Sequence, residues 1–311
     1  MIGNRSFIQK ADLALSDLLT DGGALVAAQA KNFIRTLIDE SVIMPMSTVV
    51  PMRAPTQLLE KIRFGNRVLR AGTEGTALSS GDRAKPDLEK VELNAQLFKA
   101  EVRLNNEVLE DSIERQQLRS TIMAILGEAI ARDMDEVIIN GDTSSGDPFL
   151  AKLDGIIKQA ATNVVPTGVA PISKGVWKDM VKAMPTEFLR NKRRMRFLTS
   201  VDAEIDYRDS ANARESTLGD RYLSEDVPMA YSGVPIMDVP LFPEGLGGGT
   251  NETVALLTDP KNINVGILRR VTMETDKDIS AGVLIIVATL RFDVKYAEER
   301  AVVKATEITV S

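Results

Sequence analysis

Between about residues 115 and 140 the chain carries an apolar pattern that a long helix satisfies. Leu118, Ile122, Ile125, Leu126, Ala129, Ile130, Met134, Val137 and Ile138 recur at i, i+3, i+4 and i+7, which gathers them on one face of an α-helix. Gly141 follows where helices commonly end on glycine. With a rise of about 1.5 Å per residue this helix is ~40 Å long, a structural beam. A chain of 311 residues built around such a beam is one large domain or two intimate ones.

The segments on either side read mostly as strands. Residues 57–104 predict two long strands joined by a tip that Gly72, Gly75, Gly81 and Pro86 mark as loop. On the first strand Ile62 and Phe64 alternate with Lys61 and Arg63, the signature of a half-buried strand. On the return, Val91, Leu93, Ala95 and Leu97 share a face, and the phase then passes to Phe98, Ala100, Val102 and Leu104. A period-2 phase flip means a bulge or a change of surroundings, so an exposed arm re-enters the body here. Upstream lie a polar arm (1–23), a short amphipathic helix (24–39) and an extended stretch held out of helix by Pro45 and Pro51. A shorter helix is expected around Glu107–Ser112, ahead of the long one.

Beyond the long helix, residues 141–156 read as a loop and 157–280 as short mixed α and β elements. Ser173 caps a helix through Met184, MRFLTS (195–200) is a strand, and Ser200 caps a helix through about Asp209. GVPIMDVPLFPEGLGGGT reads as a Gly- and Pro-rich loop, and ETVALLTD as a strand. Val283–Ala288 is continuously apolar, as a strand buried on both faces would be. The fold class is α+β.

Two absences narrow the function. The chain has no Cys and no His, which removes thiolate chemistry, thiolate metal sites, Ser-His-Asp arrangements and the commonest neutral-pH base. Paired carboxylates or Ser-Lys leave a hydrolase as an alternative, but an enzyme, a metal site and a cofactor are not expected. The net charge is -6, so bulk attraction to nucleic acid is not expected either. No apolar run is long enough for a membrane span, and the start lacks the pattern of a signal peptide. A cytoplasm-like compartment is expected.

The remaining polar clusters have plain readings. Asp133, Asp135 and Glu136 fit the charged outer face of the long helix, and Asp142, Asp147 and Asp154 fit turns. GLGGGT lacks the Lys-Ser/Thr ending of a phosphate loop. The run Lys192, Arg193, Arg194 and Arg196 is the candidate for DNA contact, set against a solvated surface.

Taken in order, these segments resemble one family, the Hong Kong 97 type major capsid proteins of tailed phages, whose fold also builds encapsulin compartments. GTEGTALSSGDRAKPDLEKVEL looks like that family's extended-loop tip. LNNEVLEDS, ARDMDEVIINGDTSS and LDGI look like its short helix, spine helix and the loop that follows. FLTSVDAEIDYRD and GVPIMDVP resemble its axial domain, and LLTDPKNINVGILRRVTMETDKD and LRFDVKYAEERAVVKATEI its returning strands. The resemblance implies an N-terminal arm (1–23), a linker (24–56), an extended β-hairpin loop (57–97), a peripheral domain (98–156 with 283–311, spine helix 115–140) and an axial domain (157–282). It implies self-assembly as pentamers and hexamers into an icosahedral virion capsid, built in the host cytoplasm around double-stranded DNA without sequence-specific binding. Implied partners are a separate scaffolding protein, a portal and a decoration protein, with no membrane. The alternative is an encapsulin-like shell around an enzyme cargo.

Two expectations add residues. Some relatives crosslink a loop Lys to an Asn near the C-terminal strands; Lys61, Lys85 and Lys90 are on the hairpin, but no Asn follows Asn264, so a non-covalent shell is expected. Residues 57–70 set Lys61, Arg63, Arg67 and Arg70 against Glu60 alone. Residues 107–136 set eight acids, among them Glu110, Asp111, Glu114, Asp133 and Glu136, against Arg115, Arg119 and Arg132. A two-stranded ribbon is marginal alone in water, so the hairpin is expected to lie on the acidic spine region of another subunit.

Overall fold

A computed structural model describes residues 12–13, 42–64, 68–72, 74–75, 77–105, 118–212, 228–247 and 251–310. The helices expected at 24–39 and at Glu107–Ser112, most of the arm, and Arg67, Glu110, Asp111 and Glu114 lie outside these residues.

Among the described residues the strands form two sheets and a separate hairpin. The first sheet runs in the order β1 (Asp12–Leu13), β5 (Gln96–Asn105), β12 (Val283–Tyr296), β11 (Ile263–Asp278), β2 (Thr48–Pro51). Its centre is a long antiparallel pairing of β11 with β12, from Ile263↔Tyr296 to Asp278↔Val283. The helix α1 (Leu118–Asn140) lies on this sheet. Ile130, Val137, Ile138 and Ile139 share a core with Ala288, Leu290, Phe292 and Val294. Phe98 stacks on Phe292 with ring centroids 4.8 Å apart and meets Phe149 edge-on at 5.9 Å.

The second sheet runs in the order β6 (Val164–Pro171), β13 (Val303–Thr309), β10 (Glu252–Thr258), β7 (Arg196–Thr199), β9 (Val234–Asp238), β8 (Ala230–Tyr231). After the single turn α2 (Ile156–Gln159), the helices α3 (Lys174–Ala183) and α4 (Val201–Asn212) cover it. Trp177 of α3 is fully buried between Phe197 (4.6 Å) and Tyr207 of α4 (5.7 Å).

Several readings are corrected. Gly141 follows α1 as expected, but close approach rather than a left-handed cap requires glycine there. A Cβ on it would stand 2.5 Å from the Leu153 carbonyl oxygen, and one on Gly155 would stand 2.6 Å from that of Ile139. The loop after the helix is zipped to its end at these two glycines, with the Gly155 amide donating to the Gly141 carbonyl at 2.8 Å. The stretch read as one Gly- and Pro-rich loop contains β9, which pairs in parallel with β7 from Phe197↔Ile236 to Thr199↔Asp238. Pro235 hid this strand; it lies opposite Ala230 of two-residue β8, where little ladder exists to be broken. Ser173 precedes α3 without capping it through its side chain, whereas the Ser200 hydroxyl accepts from the Ala203 amide at 3.3 Å. β12 alternates buried with half-buried residues, so only one of its faces is fully covered.

Sheet membership crosses the expected domain boundary twice. Residues 263–278 stand in the first sheet beside β12, and 303–309 in the second, between β6 and β10. The chain therefore passes from β10 to β11 through the short turn Pro260–Asn262, and returns from β12 to β13 through Glu299–Ala301. Asn262 joins these two passages. Its side chain donates to the Glu298 carbonyl and accepts from the Glu298 amide, each at 2.8 Å, and its own carbonyl accepts from Ala297 at 2.8 Å.

Candidate assembly site

The hairpin pairs β3 (Thr56–Arg63) with β4 (Asp87–Asn94) in antiparallel register, Thr56↔Asn94 to Arg63↔Asp87. Alternation gives it two faces. Gln57, Leu59, Lys61 and Arg63 turn toward the body, while Leu58, Glu60 and Ile62 turn out. The alternation expected here is present with the opposite sense: Ile62 is 66% exposed, Phe64 55% and, directly across from Ile62, Leu88 68%. Charge explains the orientation. Lys61 pairs with Glu298 and donates to the Ala297 carbonyl (3.3 Å), and Arg63 pairs with Glu89 (3.1 Å) and Glu298 (3.7 Å). The hydrogen bond from Lys61 to Glu89 holds that carboxyl below its ordinary range. Glu298 also receives Arg300 at 3.6 Å, and Arg300 reaches Glu187 at 3.0 Å. Lys61 and Arg63 are thus partnered inside the chain.

The foot of the hairpin is fastened by backbone groups. The Ala95 amide donates to the Pro55 carbonyl at 2.8 Å, and the Asn94 amide to Asp293 Oδ2 at 2.7 Å. Asp293 is buried, which pushes its carboxyl up, while the Asn94 and Val294 amides pull the other way. Met52, Leu93 and Ala95 form a small core over Gly266, where a Cβ would meet Met52 Sδ at 2.8 Å and Leu93 Cδ1 at 2.9 Å. The phase passes to the other face between Ala95 and Gln96, two residues before the expected flip; Leu97 is exposed.

The acids of α1 do not share one outer face. Asp135 is buried, and its Oδ2 accepts from the Val42 amide at 2.9 Å, tying the segment before β2 to the helix. Asp133 pairs with Arg132 at 3.3 Å, and Glu136 is half-buried. Next to Asp133 a shallow apolar groove of about 80 Å³ opens between Phe98, Met134, Val137 and Phe149, with Lys99 at its rim. Arg70, on the hairpin tip, stands 3.8 Å from Asp82. Asp142 and Asp147 accept from the amides of Ser144 (2.7 Å) and Phe149 (2.9 Å), as turn formers do, whereas Asp154 accepts from the Thr143 amide (2.9 Å) and hydroxyl (2.8 Å) eleven residues earlier and closes the loop instead. Among the described residues no group of three or more acids is placed to hold a metal.

The basic run splits. Arg194 pairs with Asp259 at 3.2 Å, and Arg196 donates to the carbonyls of Arg193 (2.9 Å) and Met195 (2.8 Å). Lys192 bonds to the Ser232 hydroxyl, and Arg193 is exposed. Sequence reasoning did not include Arg190, three residues before Arg193 in the same turn, nor Asp293, Glu298 and Asn262. Arg190 was within reach of a wider window on the charge run. The other three depend on partners far along the chain.

A hairpin held at its foot, with an apolar outer row and a spine helix beneath a two-sheet body, is the geometry expected of a shell subunit, and the comparisons decide the matter. The phage capsid family model matches residues 22–306. The chain belongs to the phage capsid family. It is 38% identical over 309 residues, 98% of this chain and 99% of the other, to a protein named for a prophage capsid, YqbE of Bacillus subtilis (strain 168). Its fold is similar to the capsid of the native GTA particle (TM-score 0.64, 16% identity, covering 95% of this chain and 100% of that one). It is also similar to the holo-SrpI encapsulin complex of Synechococcus elongatus PCC 7942 (TM-score 0.60, 14% identity, 96% and 98%). As a phage capsid protein the chain is a structural component of a viral shell, with the Hong Kong 97 type α+β fold.

Proposed function

We propose that this capsid protein is a non-catalytic subunit that assembles as pentamers and hexamers around double-stranded DNA, in the host cytoplasm, with a separate scaffolding protein, a portal and a decoration protein as partners. The observation that carries the reading is the outward set Leu58, Ile62, Phe64 and Leu88, which shares its face with the Glu60–Lys90 pair (3.5 Å) while Lys61 and Arg63 turn inward. A row of large apolar side chains left in water on a marginal two-stranded ribbon favours covering by another molecule. In a shell that molecule is a second copy. The α1 side of the body, with its apolar groove beside Asp133, supplies a surface of matching character, and charges at the tip and on the helix, Arg70 and Glu136 among them, would set register.

The test is Ile62→Asp with Leu88→Asp. These side chains touch no core, so the subunit should keep its circular dichroism and melting temperature yet give no shells or capsomer rings by negative-stain microscopy. Normal shells from this variant would overturn the contact. Particles that form can be opened and their contents read: double-stranded DNA supports the phage reading, and an enzyme cargo the encapsulin alternative.

A further inference from the structure

The cationic turn Leu189–Arg194 takes no part in the contacts proposed above. It separates two grooves of opposite character. One, of about 430 Å³, is bordered by Arg190, Asn191 and Arg194 but also by Glu187, Asp259 and Glu298. There Arg194 is paired with Asp259 at 3.2 Å, while Arg190 borders both grooves. The other, of about 500 Å³, is lined by residues 190–194 and by Ser232 and Gly233, with no carboxylate among the described residues. Arg190 and Arg193 are exposed and form no ion pair with any described residue, and Lys192 bonds to a hydroxyl, that of Ser232, instead of an acid. The far wall is the turn between β8 and β9, where Ser232 (φ 54°) and Gly233 (φ 82°) both take left-handed conformations. Both are small, so this wall leaves the groove open.

In a chain of net charge -6, three cations facing one groove without a carboxylate form a local site for anions. Its open form and its guanidinium groups suit phosphodiesters, which arginine holds through paired hydrogen bonds. We propose that this groove binds the phosphate backbone of duplex DNA through Arg190, Lys192 and Arg193, without reading bases. Arg196 and Arg194 drop out of the site, because their guanidinium groups are engaged by backbone carbonyls and by Asp259. The source of the DNA rests on the shell reading; the binding itself does not. Few contacts per subunit make each one weak, and a shell multiplies them.

Anisotropy of a labelled duplex with the purified full-length chain tests the site, using two unrelated sequences. Three phosphate contacts give a slope of log affinity against log salt near about -2.7, so affinity should fall roughly 40-fold between about 25 and 100 mM salt. Arg190→Ala with Lys192→Ala and Arg193→Ala should lower affinity at least about tenfold at low salt and flatten the slope. Arg83→Ala with Lys85→Ala, which removes two exposed cations from the hairpin tip, should leave binding unchanged. The proposal is overturned by no binding of the original chain at low salt, by equal binding of the triple variant, by an equal loss in the hairpin-tip variant, or by a preference between the two sequences. Displacement of the duplex by inorganic phosphate at submillimolar concentration would also overturn it, since the site would then be one for a small anion. Microscopy of the triple variant reads assembly separately, so loss of shells and loss of DNA binding are distinguishable.

Discussion

Gly155 and Gly266 both sit where a methyl group has no room, but their neighbours differ. Around Gly155 the nearest atoms are the carbonyl oxygens of Ile139 and Ile138 and the Gly141 amide nitrogen, all backbone. Around Gly266 they are the ends of Met52 and Leu93, which can swing aside. Gly155→Ala should therefore cost about 3 kcal/mol and Gly266→Ala about 1 kcal/mol, within the range for overpacked interiors; denaturant midpoints of the two variants check the order. Equal losses would show that the backbone zipper is softer than its distances imply. A third residue reports through pH. Burial pushes Glu299 up, but hydrogen bonds from Thr162 and from the amides of Thr162 (2.7 Å) and Ala161 (2.9 Å), with Lys304 nearby, outweigh it and hold the carboxyl below its ordinary range. A carboxyl depressed on folding stabilises above its unfolded value, and that contribution is lost as pH falls through the folded value. Glu299→Gln should accordingly lose about 1 kcal/mol at neutral pH, kept small by solvent screening. The difference should vanish at a pH below the ordinary carboxylate range; a gap that persists there would assign the loss to packing.

At the scale of elements, the hairpin depends on the body for its order. Its contacts with the body are the Met52–Leu93–Ala95 foot and the Glu298 cluster that receives Lys61 and Arg63. Glu298→Ala removes the second attachment. Hydrogen exchange should then speed up by about tenfold or more across residues 56–63 and 87–94, as an isolated ribbon does not hold itself, while β11 and β12 keep their protection. Unchanged exchange in the hairpin would place its order in the foot alone. The same element shows how much was legible in the sequence. The alternation of Ile62 and Phe64 with Lys61 and Arg63 was visible, because strand periodicity is local. Which face turned inward was not, since that depends on Glu298, more than two hundred positions downstream. The long helix is legible because nine apolar residues repeat its period, whereas Pro235 masks β9, and nothing near Asp135 in sequence signals its burial, because its partner is the Val42 amide. The charge count found the basic turn but could not sort engaged guanidinium groups from available ones.

At the scale of the molecule, the absence of any Asn after Asn264 leaves the C-terminal strands without an acceptor for an isopeptide crosslink. Mature particles boiled in detergent should run as one band near the chain mass of 33.9 kDa; a ladder of multiples would contradict this. The two sheets share one chain that crosses between them three times, first from β5 to β6 and then at Pro260–Asn262 and at Glu299–Ala301, with Asn262 bonded across the last pair. Asn262→Ala should uncouple them in part, so that melting in calorimetry is broader or more split than for the original chain; a transition as sharp as the original at a slightly lower temperature would mean the shared core alone keeps them together. A joint crossed once can pivot like a knee. One crossed three times, twice by neighbouring and mutually bonded turns, resists both folding and torsion, so the body behaves as a stiff tile. A wall laid from such tiles takes its curvature at the seams between them, where the hairpin, held to its own tile at the foot and through Lys61 and Arg63, keeps its outward face for the neighbour.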